Sequence, residues 1–303
     1  MRVTNSMMVR NMLDHLQNNL GDLNDLNEQL SSGKLFQMPS DAPIKVADSM
    51  NYKSQLNRNN QFQRNLNQTE NWLNTTESAL KSGTEVIQRA RELTIYAAND
   101  SMTSDDRKMV AKEMKQLRDE LIDISNAKLG DSYIFSGQKT GEKPFILNSD
   151  KTDIDNYVDY QGDKNSVKRR LNENVEMGVN LNGHEVFKDK IDKLNKIYRQ
   201  LENNIPGKDI KGEDLSDNLD EMDDFINDYA ELRSQVGGKL QRTGNIIDRL
   251  EANEVHLRTL KSKNEDADLA EVITELKMEE TVYRASLASG SRIMQQSLVD
   301  FIR

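Results

Sequence analysis

The stretch Leu13-Asp14-His15-Leu16-Gln17-Asn18-Asn19-Leu20-Gly21-Asp22-Leu23 decides the fold class. Its leucines recur at steps of three and four, so they line one narrow side of a helix, two positions in seven. Such a stripe suits a helix–helix seam and is too thin to organise a globular core alone. The other end of the chain answers it with Leu269, Ile273 and Leu276 in the same rhythm. Each end is cut off from the rest by a break, Gly33 to Pro43 on one side and Ser262 to Asp266 on the other. Together the ends would form only a two-helix layer, which buries little surface and is marginal in water unless other copies of the chain cover it. The stripes are therefore expected at subunit contacts, and function is expected to lie in assembly.

Composition agrees with long solvated helices. Apolar residues make up 35% of the 303 and charged residues 30%, leaner in the first and richer in the second than a typical globular domain. A net charge of -10 without a dense Lys/Arg run removes the electrostatic footprint of a nucleic-acid binder. Uninterrupted apolar runs such as Ile95 to Ala98 fall far short of the roughly 20 residues that span a bilayer, so no membrane insertion is expected. Met7, Met8 and Val9 are followed at once by Arg10, Asn11 and Asp14, which leaves no secretory h-region. Zero cysteines exclude disulfides and thiolate metal sites but fit the cytosol and the extracellular space equally.

Between the ends the pattern is also helical. Phe62, Leu66, Leu73, Leu80, Ile87, Ala90 and Ala97 keep one register, with Thr69, Thr76, Gly83 and Thr94 filling its other positions. After a break at Asn99 to Thr103, Ser104 is expected to cap a second helix whose first turn carries Asp105 and Asp106. Its seam is Val110, Met114, Leu117, Leu121 and Ile124, and Gly130 is expected to end it. From Tyr133 to Phe187 aromatic residues and glycines concentrate around short apolar runs such as Phe145-Ile146-Leu147, which predicts β-structure. Helical period resumes with Ile191, Leu194, Tyr198, Leu201 and Ile205. A long register then runs through Leu215, Leu219, Met222, Ile226, Tyr229, Val236, Leu240, Ile247, Leu250 and Leu257, with a bend expected at Gly237. Asp268 and Glu271 resemble a capping pair for the last helix.

The fold class expected is mainly α, an elongated helical bundle or coiled coil built from both chain ends with a small β domain inserted mid-chain. Its parts are an amino-terminal coiled-coil segment (1–43), a first helical part (44–132), the β domain (133–188), a second helical part (189–263) and a carboxyl-terminal coiled-coil segment (264–303).

Catalytic chemistry has no constellation to rest on. His15, His184 and His256 are far apart in sequence and none follows a glutamate at the di-iron spacing. No phosphate loop, nucleophile elbow or EF-hand loop occurs. No catalytic, cofactor or metal role is assigned, and the expectation is a non-enzyme without cofactors. The acidic run Glu213, Asp214, Asp217, Asp220, Glu221, Asp223, Asp224 and Asp228 reads as a solvated helix face rather than a calcium site. Trp72, beside Leu73, reads as core.

Four stretches give the chain a resemblance. Arg2-Val3-Thr4-Asn5-Ser6-Met7, then Leu30-Ser31-Ser32-Gly33-Lys34 and Pro39-Ser40-Asp41, is similar to the amino-terminal signature of the flagellar hook-associated protein 3 family, junction proteins related to flagellin. Tyr133-Ile134-Phe135-Ser136-Gly137, with Thr140, Pro144 and Phe145, resembles a run of the junction proteins rather than of flagellins. Tyr160-Gln161-Gly162 resembles the entry to that family's β insertion. Tyr283, Ala285-Ser286-Leu287, Ser291 to Gln295, Ser297-Leu298, Asp300 and Phe301 resemble its last helix. Ala42 and Arg284 stand where an acidic residue and a glutamine are expected.

The resemblance implies a structural protein exported without a cleaved signal through the flagellum-specific export apparatus, aided by an export chaperone, and placed outside the cell. It implies as partners hook-associated protein 1, flagellin and copies of itself in a ring, with the terminal helices as inner tube and the β insertion outward. It extends the expected subunit interface to Leu13, Leu16, Leu20, Leu23, Leu30, Leu269, Ile273, Leu276, Tyr283, Leu287, Met294, Leu298 and Phe301. The rival readings are flagellin itself and a cytosolic coiled-coil adaptor that binds through its β insertion.

Overall fold

The computed structural model describes residues 5–99, 102–148, 157–202 and 212–301, with the side chains of 5, 6, 104, 212–217 and 293–301 outside the description. The chain is mainly α with small β elements inserted mid-chain. The helices are α1 (Asn5–Ser32), α2 (Pro43–Ala97), α3 (Ser104–Ser125), α4 (Asp189–Glu202), α5 (Gly212–Glu265) and α6 (Leu269–Phe301). The chain divides into two compact units, Met1–Arg58 with Ala252–Arg303, and Asn59–Glu251.

In the second unit the heptads of α2 form the core as expected. Leu66, Leu73, Leu80 and Ile87 are fully buried. Thr69, Thr76 and Thr94 share that seam because each hydroxyl donates to the carbonyl four residues back, at 2.8 Å, so none of the three hydroxyls is left unpaired. Gly83 sits against the Tyr229 ring of α5, 3.3 Å from where a Cβ would stand. Trp72 is buried, as expected. On α5 every seventh residue is deep: Met222, Tyr229, Val236, Thr243 and Leu250.

Helix α5 runs unbroken through Gly237. Gly237 and Gly238 are solvent-facing with nothing packed against them, and the buried heptads on the other face hold the helix across them. Two local expectations, both at the ends of α3, are corrected. Thr103, not Ser104, caps α3, because its extended backbone lets it exchange hydrogen bonds with Asp106 in a capping box. The helix ends at Ser125 rather than at Gly130, for Asn126 intervenes. Its Nδ2 reaches the Ile122 carbonyl at 2.8 Å and its Oδ1 accepts from Phe145 N at 3.0 Å. Gly130, with φ of 61°, instead makes the turn of the first hairpin.

The β elements are three separate antiparallel hairpins: β1 (Lys128–Leu129) with β2 (Ser132–Tyr133), β3 (Phe145–Leu147) with β4 (Val158–Tyr160), and β5 (Lys168–Asn172) with β6 (Val175–Gly178). Pairs this short are not stable alone. They rest on an aromatic chain in which the Phe187 ring meets Phe135 at 4.7 Å, Phe145 at 6.3 Å and Tyr229 of α5 at 6.0 Å between centroids. Phe187 is held by a π-helical turn, His184–Lys188, that leads directly into α4.

Candidate assembly interface

The first unit is built on an antiparallel pair, α1 against α6. The end of α1 and the start of α6 are tied by the backbone: Leu35 N donates to Glu265 O at 2.7 Å and Ala267 N to Gly33 O at 3.0 Å. Gly33 adopts φ of 69° to make this turn, a conformation glycine takes without strain. Asp268 opens α6 as expected, its Oδ1 accepting from Ala270 N at 3.0 Å. Asp41 holds the loop after α1 by accepting from Met38 N at 2.9 Å, and these backbone and Ser40 hydrogen bonds keep its carboxyl below the usual range.

Burial divides the expected contact residues between two faces. On α1 the shielded positions are Val9, Met12, Leu16, Asn19, Leu23, Leu26 and Leu30, a strict run of threes and fours. On α6 they are Val272, Leu276, Glu279, Tyr283, Ser286 and Gly290. Gly290 is buried beneath the Met12 thioether, which occupies the space a Cβ would need. Of the expected residues, Leu16, Leu23, Leu30, Leu276 and Tyr283 thus lie on the inner seam. Leu13 and Leu20 are each 54% exposed, with Leu269 at 47%, Ile273 at 40% and Leu287 at 46%. Met294, Leu298 and Phe301 lie among the residues whose side chains are outside the description.

Helix α6 carries large apolar residues on two faces. Its inner face offers Val272, Leu276 and Tyr283 together with Glu279, Ser286 and Gly290, while Met278, Val282 and Leu287 face outward. Isolated exposed apolar residues need no explanation. A helix that keeps a second set of large apolar residues on its outer face is shaped to be covered from outside. Sequence reasoning missed Val9, Met12, Leu26 and Val272. The signal was present as the same spacing one phase over, disguised by Asn19 on α1 and by the glycine and serine on α6.

The acidic run is not simply a solvated face: Arg91 grips Asp223 through two hydrogen bonds of 2.6 and 2.9 Å, Lys193 pairs with Glu221, and Lys190 meets Asp228 at 3.3 Å. These basic partners come from α2 and α4, which a reading along α5 alone does not reveal. Lys190 is itself buried over the rings of Phe225 and Tyr229, and desolvation lowers its pKa. His15 lines a groove between α1 and α6, His184 stands edge-on to Tyr160, and His256 is exposed. No group of three or more His, Cys, Asp or Glu able to hold a metal occurs among the described residues. No described helix is long and apolar enough to cross a membrane.

The mid-chain motifs converge on one turn cluster. The Tyr160 hydroxyl lies 2.8 Å from the Phe135 carbonyl and 3.1 Å from that of Asp163, and burial pushes its pKa up to about 12. A Cβ at Gly162 would stand 2.9 Å from Ser136 O, and one at Gly183 2.5 Å from Phe135 O. Glycine is needed at both because backbone passes where a side chain would be. Tyr133 to Gly137 and Tyr160 to Gly162 are therefore two halves of one packing arrangement.

A pair of terminal helices in one unit, and long helices with three short hairpins in the other, are the elements of a flagellin-type protein. The family model for the bacterial flagellin N-terminal helical region matches residues 3–140, and that for the C-terminal helical region matches 219–302. Flagellar hook-associated protein 3 of Salmonella typhimurium is 24% identical, with all of both chains covered. The flagellin of Bacillus subtilis is 25% identical over 98% of this chain and 97% of its own. In fold, the crystal structure of flagellar hook-associated protein-3 from Legionella pneumophila superposes with a TM-score of 0.63 at 15% identity, covering 70% of this chain and 97% of that one. The chain belongs to the bacterial flagellin family, whose two helical regions it carries, and is a structural component of the bacterial flagellum.

Proposed function

We propose that this chain joins the flagellar hook to the flagellin filament as a non-catalytic ring of subunits, between hook-associated protein 1 and the first flagellins. The observation that carries it is the outer apolar face of α6 in a chain similar from end to end to a hook-associated protein: Met278, Val282 and Leu287 are exposed there. Copies of the same chain and its axial neighbours are the cover of matching chemistry. Leu13, Leu20, Leu269, Ile273 and Leu287 then form the contact between subunits. Leu16, Leu23, Leu30, Leu276 and Tyr283 close the pair within each one.

Folding and assembly are coupled in this reading. The inner seam is shallow, since Leu16, Leu23 and Leu276 are only partly buried in the single chain, and a two-helix layer of this kind gains most of its burial only when neighbours arrive. The chain leaves the cell through the flagellar export apparatus with a chaperone and works outside it. Sequence segments 1–43 and 264–303 act as the assembling ends, 133–188 as the outward element, and 44–132 with 189–263 as the helical body.

Deleting the gene in its native cell tests the junction role. Intact hooks without filaments, and flagellin free in the medium, are expected; normal filaments would overturn it. Flagellin is the second reading, favoured by the two flagellin matches, and is tested by whether the purified chain seeds long filaments alone.

A further inference from the structure

We propose that Glu265 is a clamp that holds the roots of both terminal helices in register before the helices themselves pair. This rests on the coupled folding just described. Glu265 is the last residue of α5 and its side chain is 3% exposed. Three lysines from three different segments converge on it: Lys34 just after α1 at 3.6 Å, Lys53 of α2 at 3.0 Å and Lys261 one turn back on α5 at 3.4 Å.

The lysines remain partly in water, with side chains 44%, 51% and 31% exposed. Desolvation therefore falls mainly on the one carboxylate, and three cations offset it without being buried themselves. The same point carries the backbone ties. Leu35 N donates to Glu265 O, Ala267 N to Gly33 O, and Asn264 Nδ2 to Lys45 O at 2.7 Å. The segments that leave α1, enter α6 and open α2 are thus fastened to the end of α5 by contacts that use no residue of the α1–α6 seam.

That independence gives the clamp its role. With the roots fixed at Gly33 and Ala267, closing the pair brings Met12 onto Gly290. A slip of one residue would turn the inner faces away from each other. Fixing the roots leaves only the short search along a tethered pair, which lowers the entropy of closure.

Residue-resolved amide hydrogen exchange on the full-length monomer tests this, comparing the native chain with Glu265→Gln and Lys53→Met. In the native chain the amides of Leu35 and Ala267 are expected to exchange at least about tenfold more slowly than those of residues 9–30. Glu265→Gln removes that difference and Lys53→Met reduces it, while 66–94 stays protected in all three. Leu35 and Ala267 exchanging alike in the native chain and in Glu265→Gln would overturn the clamp. Strong protection across 9–30 in the native monomer would instead overturn coupled folding, a separate readout. Loss of protection in 66–94 of Glu265→Gln would show a general fold defect, and the clamp would then fail if Lys53→Met, with its body intact, left Leu35 and Ala267 unchanged.

Discussion

Met12 of α1 lies over Gly290 of α6 so closely that its terminal methyl fills the place of the missing Cβ. Because the obstructing atom is the end of a flexible side chain, the contact tolerates a small residue but not a branched one. Gly290→Leu is expected to hold the two helices apart and reduce incorporation into flagella, and Met12→Ala in the same chain to restore it. Failure of the double variant to recover, with both bodies folded by circular dichroism, would mean that Met12 is not the seat of Gly290.

The outer stripe is separable from the fold of the single chain. Leu20→Asp places a charge at an exposed position, so the monomer's stability is expected to change by no more than about 0.5 kcal/mol. Incorporation should nevertheless fall steeply, because in the assembly the charge is buried without a partner. Leu276→Asp, on the inner seam, is expected to block incorporation too while the body keeps its helicity. Normal incorporation of Leu20→Asp would remove the outer stripe from the interface.

Tyr229 is fully buried, and its hydroxyl has no hydrogen-bond partner among the described residues. Burial pushes its pKa well above the ordinary value. Tyr229→Phe keeps the ring against Gly83 and removes a desolvated donor, so it is expected to stabilise by about 1 kcal/mol. Chemical denaturation measures this, and a destabilised variant would show that the hydroxyl is satisfied in solution.

Asp192 at the start of α4 accepts from Tyr157 N at 2.9 Å, yet burial raises its pKa to about 6. The native state therefore holds a proton that the unfolded chain releases near pH 4, and stability falls as pH rises through that window. Because the side chain is partly solvated, the loss is about 1 kcal/mol rather than the full value of the shift. Asp192→Asn is expected to match the native chain at pH 4 and exceed it at pH 7.5. Parallel pH profiles for the two would refute the raised pKa.

The body was legible because its rules are local. Leu66, Leu73, Leu80 and Ile87 could be placed by spacing alone, and the threonines between them satisfy their hydroxyls on their own helix. The acidic run was only half legible: its place on α5 followed from period, but its partners Arg91, Lys190 and Lys193 belong to other elements. Helix ends were misjudged where a residue reached across the chain, as Asn126 does to Phe145.

The terminal helices mark the division most clearly. By itself the sequence determined that both ends are helical, apolar on one side and isolated by breaks, since these properties depend on residues a few positions apart. It also determined the family, through motifs whose order spans the chain. Only the tertiary structure decided which of two overlapping stripes turns inward. That choice depends on what lies opposite, such as whether Met12 finds a glycine, and a chain read along its own length does not carry its neighbour's face.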